Sequence, residues 1–320
     1  MTISKVVYLL LVTITPMYVG AYKRDSNYLK AEQHGALTRI ILHVRDDFGV
    51  PVENADVKVL MGMMLKVKSY YISGVTDSKG LFVIEGVTKG NEIIISVSKS
   101  GYYSSKKKLC YIEMGKEHDA NGSRWLPWPL DEEIEVRKIR NPVRLKKNEK
   151  TFHLSRTNQW IGVDMEVGDF IAPHGSGRCS DFEMMICWDG LDFLKSKVCF
   201  ADIRFEKAFT GGYFVPKVQE STFPHVYVAD TNLITVQKFR IQNRNGDFYT
   251  THNPFSPDMT FVMRSRCVID ETGCLKNANY GCLRELNVTP GDVGSKEAIV
   301  YFYSVFNPIP NDTNLEALCR

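Results

Sequence analysis

The segment "VGDFIAPHGSGRCSDFE", Val167 to Glu183, gathers Asp169, His174, Ser176, Arg178, Asp181 and Glu183 around Gly175 and Gly177. A carboxylate beside an imidazole can orient and polarise a general base, and a serine hydroxyl next to such a pair can act as a nucleophile. The catalytic candidates are therefore Asp169, His174 and Asp181. The glycines are not followed by Lys-Ser/Thr, so the segment is no P-loop, and "HGSGR" lacks the first glycine of G-x-S-x-G. The plainer reading is a polar hairpin loop in which Gly175 and Gly177 supply the turn. Asp164, Glu166, Asp169, Asp181, Glu183, Asp189 and Asp192 offer many carboxylate pairs for glycoside hydrolysis, but no spacing that singles one out.

Flat aromatic rings suit stacking on sugar faces and protein hot spots. Tyr70-Tyr71, Tyr102-Tyr103, Trp125 and Trp128 supply them, and Tyr102, Tyr103, Trp125 and Trp128 are the ligand-binding candidates. Against this, one ring of a strand Tyr-Tyr pair faces the core, and two tryptophans separated by Leu-Pro pack well at a domain joint.

Lys5 followed by the apolar run Val6–Ala21 has the layout of a secretory signal, with cleavage after Ala21 and no cysteine there to carry lipid. An uncleaved anchor is the alternative; Pro16 and the modest length disfavour it. The expected location is exported, periplasmic or extracellular, with no membrane span beyond the signal segment. In an oxidising compartment an even set of cysteines suggests disulfides. Cys179, Cys187, Cys199, Cys267, Cys274, Cys282 and Cys319 are candidates, with Cys110 the eighth. None of these is spaced two to four residues from another as zinc ribbons require, and no metal or cofactor is expected. A net charge of +3, with basic residues interspersed among acidic ones, gives no phosphate-binding face, so no nucleic-acid partner is expected. Asn121, Asn287 and Asn311 begin glycosylation sequons that matter only in a secreting eukaryote.

The elements that must carry these residues read as strands. Ile40, Leu42 and Val44 alternate with Ile41, His43 and Arg45; Ala55, Val57 and Val59, then Ile93, Ile95 and Val97, repeat the period of two. In "GVTDSKGLFVIEGV" Asp77 to Gly80 make a turn, and the following strand, Leu81–Ile84, reads as covered on both faces. A lone Asp77 cannot supply the six to eight oxygens of a calcium site. Tyr22–Ala36 reads as a polar, mobile lead-in and Glu132–Ile139 as a last strand. Asn245-Gly246 is a hairpin signal, Glu297–Phe306 an aromatic strand, and 189–209 is undecided between a helix and two strands.

"GVPVENADVKV", "GVTDSKGLFVIEGV" and "ISVSKSGYYS", in that order, resemble the carboxypeptidase regulatory-like domain, a transthyretin-like β-sandwich, over about residues 37–115. The resemblance implies a fold and an accessory role, without catalytic activity. A zinc carboxypeptidase would need H-x-x-E, and no histidine here has Glu three positions on, nor does H-E-x-x-H occur. "RWLPWPLDEEIEVRKIRNPVRL" and "IGVDMEVGDFIAPHGSGRCSDFEM" resemble a pattern in exported bacterial proteins that carry this module.

The expected organisation is a mainly β chain: signal peptide 1–21, lead-in 22–36, sandwich 37–124, joint 125–150 and a second β-rich domain 151–320. The expected function is a non-catalytic interaction or accessory protein whose partner is an envelope or extracellular protein or glycan. The alternatives are a hydrolase with its site in the second domain and a carbohydrate-binding protein.

Overall fold

The computed structural model describes residues 26–61, 70–89, 92–111, 120–121, 123–155, 159–188, 198–218, 220–244, 258–290 and 297–317. The signal segment, the Asn245-Gly246 signal, residues 189–197, Cys319 and the side chains of Tyr70 and Cys199 lie outside them.

The fold is mainly β. Its first part comprises α1 (Ser26–His34), β1 (Ala36–Asp46), β2 (Asp56–Met61), β3 (Tyr70–Val75), β4 (Leu81–Thr88), β5 (Ile93–Ser98), β6 (Ser105–Leu109), β7 (Ala120–Asn121), β8 (Arg124–Trp125) and β9 (Leu130–Val136). Antiparallel β3-β2-β5-β6 forms one sheet; in the other, β1 pairs antiparallel with β4 and parallel with β8 and β9. The alternating apolar positions become the interior: Ile40, Leu42, Val44, Val57, Val59, Ile93 and Ile95 are fully buried between the sheets. Turning the strand by one residue would move this set into water, so the register is strongly specified.

The Asp77 turn forms as its residue types require. Asp77 Oδ1 accepts from the backbone N–H of Lys79 and Leu81 at 2.8 Å each, and Gly80 takes φ +73°. Leu81–Ile84 is covered on one side only: Ile84 is buried, whereas Val83 is exposed. Two further expectations change. Residues 26–34 of the lead-in form a helix, because Tyr28 and Ala31, three apart, share a face and bury in the first core, where Tyr28 meets the Trp125 ring. Trp125 and β9 lie inside this first core, so the chain that crosses to the second core is Arg137 to Leu145.

The second part contains β10 (Lys146–Ser155), β11 (Ile161–Asp164), β12 (Asp169–Phe170), β13 (Phe182–Trp188), β14 (Val198–Arg204), β15 (Gly211–Pro216), β16 (Lys238–Arg244), β17 (Met259–Ile269), β18 (Leu275–Pro290) and β19 (Glu297–Asn307). The five-stranded sheets β10-β19-β18-β17-β15 and β12-β11-β13-β14-β16 enclose a second core that includes Phe170, Phe182, Phe261 and Phe302. A third cluster covers the outer face of the first of these sheets, where Val226, Leu315 and Ala317 pack over Val262, Cys282 and Val305. Among the described residues no helix is long and apolar enough to cross a membrane.

The disulfide expectation is corrected at four positions. Cys179, Cys267, Cys274 and Cys282 carry free thiols. Cys282 is sealed under the outer-face cluster, where burial pushes its thiol up to about 12, while Cys274 lies on the exposed turn before β18. Burial also raises the Cys267 thiol.

Candidate functional site

β11 ends at Asp164, and the chain turns back through β12 and the Gly175–Gly177 loop before reaching Asp181 at the start of β13. Asp164 closes the turn. Its Oδ1 accepts from the N–H of Glu166 at 3.0 Å and Val167 at 3.2 Å, and its Oδ2 from Arg178 at 2.9 Å and Cys179 at 3.1 Å. Burial alone would raise its pKa, but these donors and Arg266 outweigh that and hold it below the ordinary value.

Arg266, at a bulge of β17 with φ +51°, reaches into the same place. Its Nε donates to Asp181 Oδ1 at 2.9 Å, its Nη1 to Glu166 Oε2 at 2.5 Å, and its Nη2 to Asp164 Oδ1 at 2.8 Å and Asp181 Oδ2 at 3.1 Å. Asp181 also accepts from Ser265 Oγ at 2.7 Å and Met165 N at 2.7 Å. Burial raises the Asp181 pKa, opposed by Arg266, Ser265 and Met165. Arg266 in turn is raised above an ordinary arginine: burial would lower it, and the Asp181 and Glu166 contacts outweigh that. The guanidinium thus bridges three carboxylates from the loop to the opposing sheet, with its Cζ 4.7 Å from the Phe306 ring centroid.

The three catalytic candidates have separate partners. Asp169 accepts from the backbone N–H and hydroxyl of Ser176 at 2.9 and 2.7 Å and from Phe170 N at 2.8 Å; burial alone would raise its pKa, but these bonds together outweigh it and hold the carboxyl below its ordinary value. His174 is exposed, 3.1 Å from the Gln159 side chain. Asp181 belongs to Arg266. No hydrogen bond joins any two of them, and Ser176 donates to a carboxylate rather than to an imidazole. Gly175 has a packing role: a Cβ there would come within 2.4 Å of Asp169 Oδ1. Arg266, the residue that organises the loop, had no sequence signal, because it lies about a hundred positions from Glu166 and only the sheet pairing brings it there.

The aromatic candidates divide. Trp125 is fully buried, stacked on Tyr111 with centroids 5.5 Å apart, and its Nε1–H donates to Thr88 O at 2.8 Å. Tyr103 is buried at the joint between the sandwiches. Neither ring can present a face to a glycan, which corrects both assignments. Tyr102 and Trp128 are half-buried, under the Lys99 ammonium at 5.7 Å and the Arg124 guanidinium at 5.0 Å from their ring centroids.

The joint between the two parts is itself held by several side-chain bonds. Arg137 follows β9, and its guanidinium lies 4.7 Å from the Phe223 ring and 4.4 Å from Tyr227 while donating to the carbonyls of Phe223, at 2.9 Å, and His225. Tyr103 stacks on Phe223 at 4.8 Å and donates to Glu316 Oε1 at 3.0 Å. Glu316 also accepts from the N–H of Arg140 at 2.8 Å and Asn141 at 2.6 Å. His225 is buried and donates from Nε2 to Leu315 O at 3.0 Å; burial, with nearby cations, lowers its pKa to about 3.

No family model matches the chain. No curated protein matches it either. Among solved structures it is similar to 3-chlorocatechol 1,2-dioxygenase from Rhodococcus opacus 1CP, with 12% identity over 33% of this chain and 61% of that one at a TM-score of 0.27. It is similar to catechol 1,2-dioxygenase from Acinetobacter sp. ADP1, with 11% identity over 33% and 54% at a TM-score of 0.26. It is also similar to the shaft pilin spaA from Lactobacillus rhamnosus GG, with 10% identity over 73% and 89% at a TM-score of 0.24. The chain spans less than two thirds of either dioxygenase. At these scores no activity or partner passes to this chain.

Proposed function

We propose that the protein is an exported, non-catalytic interaction or accessory protein, in which a carboxypeptidase regulatory-like sandwich of transthyretin-like type is joined to a larger second sandwich. One observation carries this reading: the carboxylates of the described loop that would have to perform acid–base chemistry already have partners. Asp181, Asp164 and Glu166 close around Arg266, and Asp169 closes its own loop through Ser176. A general base needs a free lone pair within reach of a substrate proton, and a nucleophilic serine needs a base at its hydroxyl. The loop offers neither arrangement.

The partner class is an envelope or extracellular protein or glycan. The test is a panel of ester, peptide and glycoside substrates offered to the full chain and to its Asp169→Asn and His174→Ala variants. No turnover above the buffer rate is expected from any of the three. Turnover by the parent that either variant abolishes would establish the hydrolase alternative.

A further inference from the structure

The outer face of the sheet β10-β19-β18-β17-β15 carries cations that the contacts above do not use. β18 bulges at Arg284: Leu283 pairs with Ser304 and Glu285 with Tyr303, leaving Arg284 as the extra residue. Its guanidinium lies 4.4 Å from the ring of Tyr303, which packs against the outer-face cluster. The Arg284 Nε is buried and no group of the protein accepts from it. On β17, Val262 pairs with Cys282 and Phe261 with Leu283, so Thr260 lies beside the bulge, with Val215 on its other side. Thr260 is fully buried, and its Oγ1 too has no partner. Two residues past Val215 comes Lys217, fixed at the backbone by donation to Asp258 O at 2.7 Å. Burial pulls the Lys217 pKa below that of an ordinary lysine; Glu285 and Asp258 oppose this and Arg284 adds to it.

A buried donor left unmade costs more than a made hydrogen bond contributes. Two cations brought together on a partly desolvated face also repel. Here a guanidinium from β18, a hydroxyl from β17 and an ammonium from the residue just past β15 are placed along one face, and the guanidinium nitrogen and the hydroxyl are both buried and unpaired. That donor set, two positive charges and a neutral hydroxyl, is the chemistry that recognises a compact group of negative oxygens.

We propose that Arg284, Thr260 and Lys217 form a binding site for a single oxyanion group. The ligand class is inorganic phosphate, or the carboxylate of an acidic sugar, which share the negative oxygens this donor set fits. Glu285 and Asp258 limit the local positive charge, so the site suits one anionic group rather than a polyanionic chain. The proposal is independent of the non-catalytic reading.

The experiment is calorimetric titration of the full chain with sodium phosphate and, separately, sodium glucuronate, each in chloride of matched ionic strength. Saturable binding of either supports the site: phosphate alone identifies a free ion, glucuronate alone an acidic sugar, and both the shared group. Arg284→Met should weaken binding by at least about tenfold, the loss expected for a hydrogen bond to a charged group. Lys217→Met serves the same purpose if Arg284→Met does not fold, and Thr260→Val should weaken binding less than either. The absence of saturable binding to the parent, or unchanged binding in a folded Arg284→Met or Lys217→Met variant, would overturn the proposal.

Discussion

His225 shows how a residue type that suggests chemistry can instead be a structural cost. Its ring is buried between Phe223 and the C-terminal segment, and only Nε2 has a partner. Because its folded pKa is depressed to about 3 from an ordinary 6.5, the unfolded chain takes up a proton that the folded chain refuses. Stability therefore falls as pH drops from about 6.5 toward about 3, by on the order of 1 kcal/mol per pH unit from this group alone. Urea unfolding followed over that window should show a shallower pH slope in His225→Gln than in the parent; an identical slope would mean that the imidazole titrates freely. Arg266 is the opposite case, a charge fully compensated. Removing it strands Asp181 and Asp164 as buried carboxylates, which costs about 3–5 kcal/mol when one partner of a buried pair is lost. The Arg266→Met and Asp181→Asn substitutions should be strongly non-additive in equilibrium unfolding, whereas additive effects would show that they do not act as a pair.

At the scale of elements, the turn that feeds β4 is the feature most sharply fixed by its residues. Gly80 has φ +73°, and a Cβ there would lie 2.5 Å from Val44 O, whereas Gly101, at φ +81°, has no atom within 4 Å of that position. Both substitutions to alanine bear the left-handed cost of about 1–2 kcal/mol, but only Gly80→Ala adds a backbone clash. Gly80→Ala should therefore be the more destabilising in denaturant titration, and equal effects would contradict the packing. Ile40, Leu42 and Val44, Val57 and Val59, and the Asp77–Gly80 turn were legible in the sequence because strand alternation and turn chemistry are local. The parallel pairing of β9 with β1 was not, since it depends on a crossover of nearly ninety residues that no periodicity records. Nor was the role of Trp125, whose partner Tyr28 sits in a segment that read as polar lead-in and whose partner Tyr111 lies between the strands that the alternation marks. In the candidate loop the turn-forming glycines were legible and the Arg266 bridge was not. A bulge in β17 supplies that bridge from the opposite sheet.

For the whole molecule, the polar and aromatic groups that first suggested chemistry mostly brace and join two sandwiches. Arg137, Tyr103, Phe223, Tyr227 and Glu316 tie the end of the first sandwich to the connecting segment and the C-terminal strand-like tail of the second. Backbone bonds reinforce them: Lys106 N donates to Glu220 O at 2.7 Å and Thr222 N to Ser104 O at 2.9 Å. A guanidinium held between two rings and two carbonyls loses its cation–π and charge-assisted contacts together when truncated. Two domains so joined should unfold as one cooperative unit, in contrast to the relative motion that is the default for domains linked by a small polar contact. The measurement that tests this most directly is scanning calorimetry of the full chain beside its Arg137→Met variant. One transition in the parent that separates into two in Arg137→Met is the expected result. Two resolved transitions in the parent itself would contradict a joined molecule and leave the Arg137 cluster without its structural role.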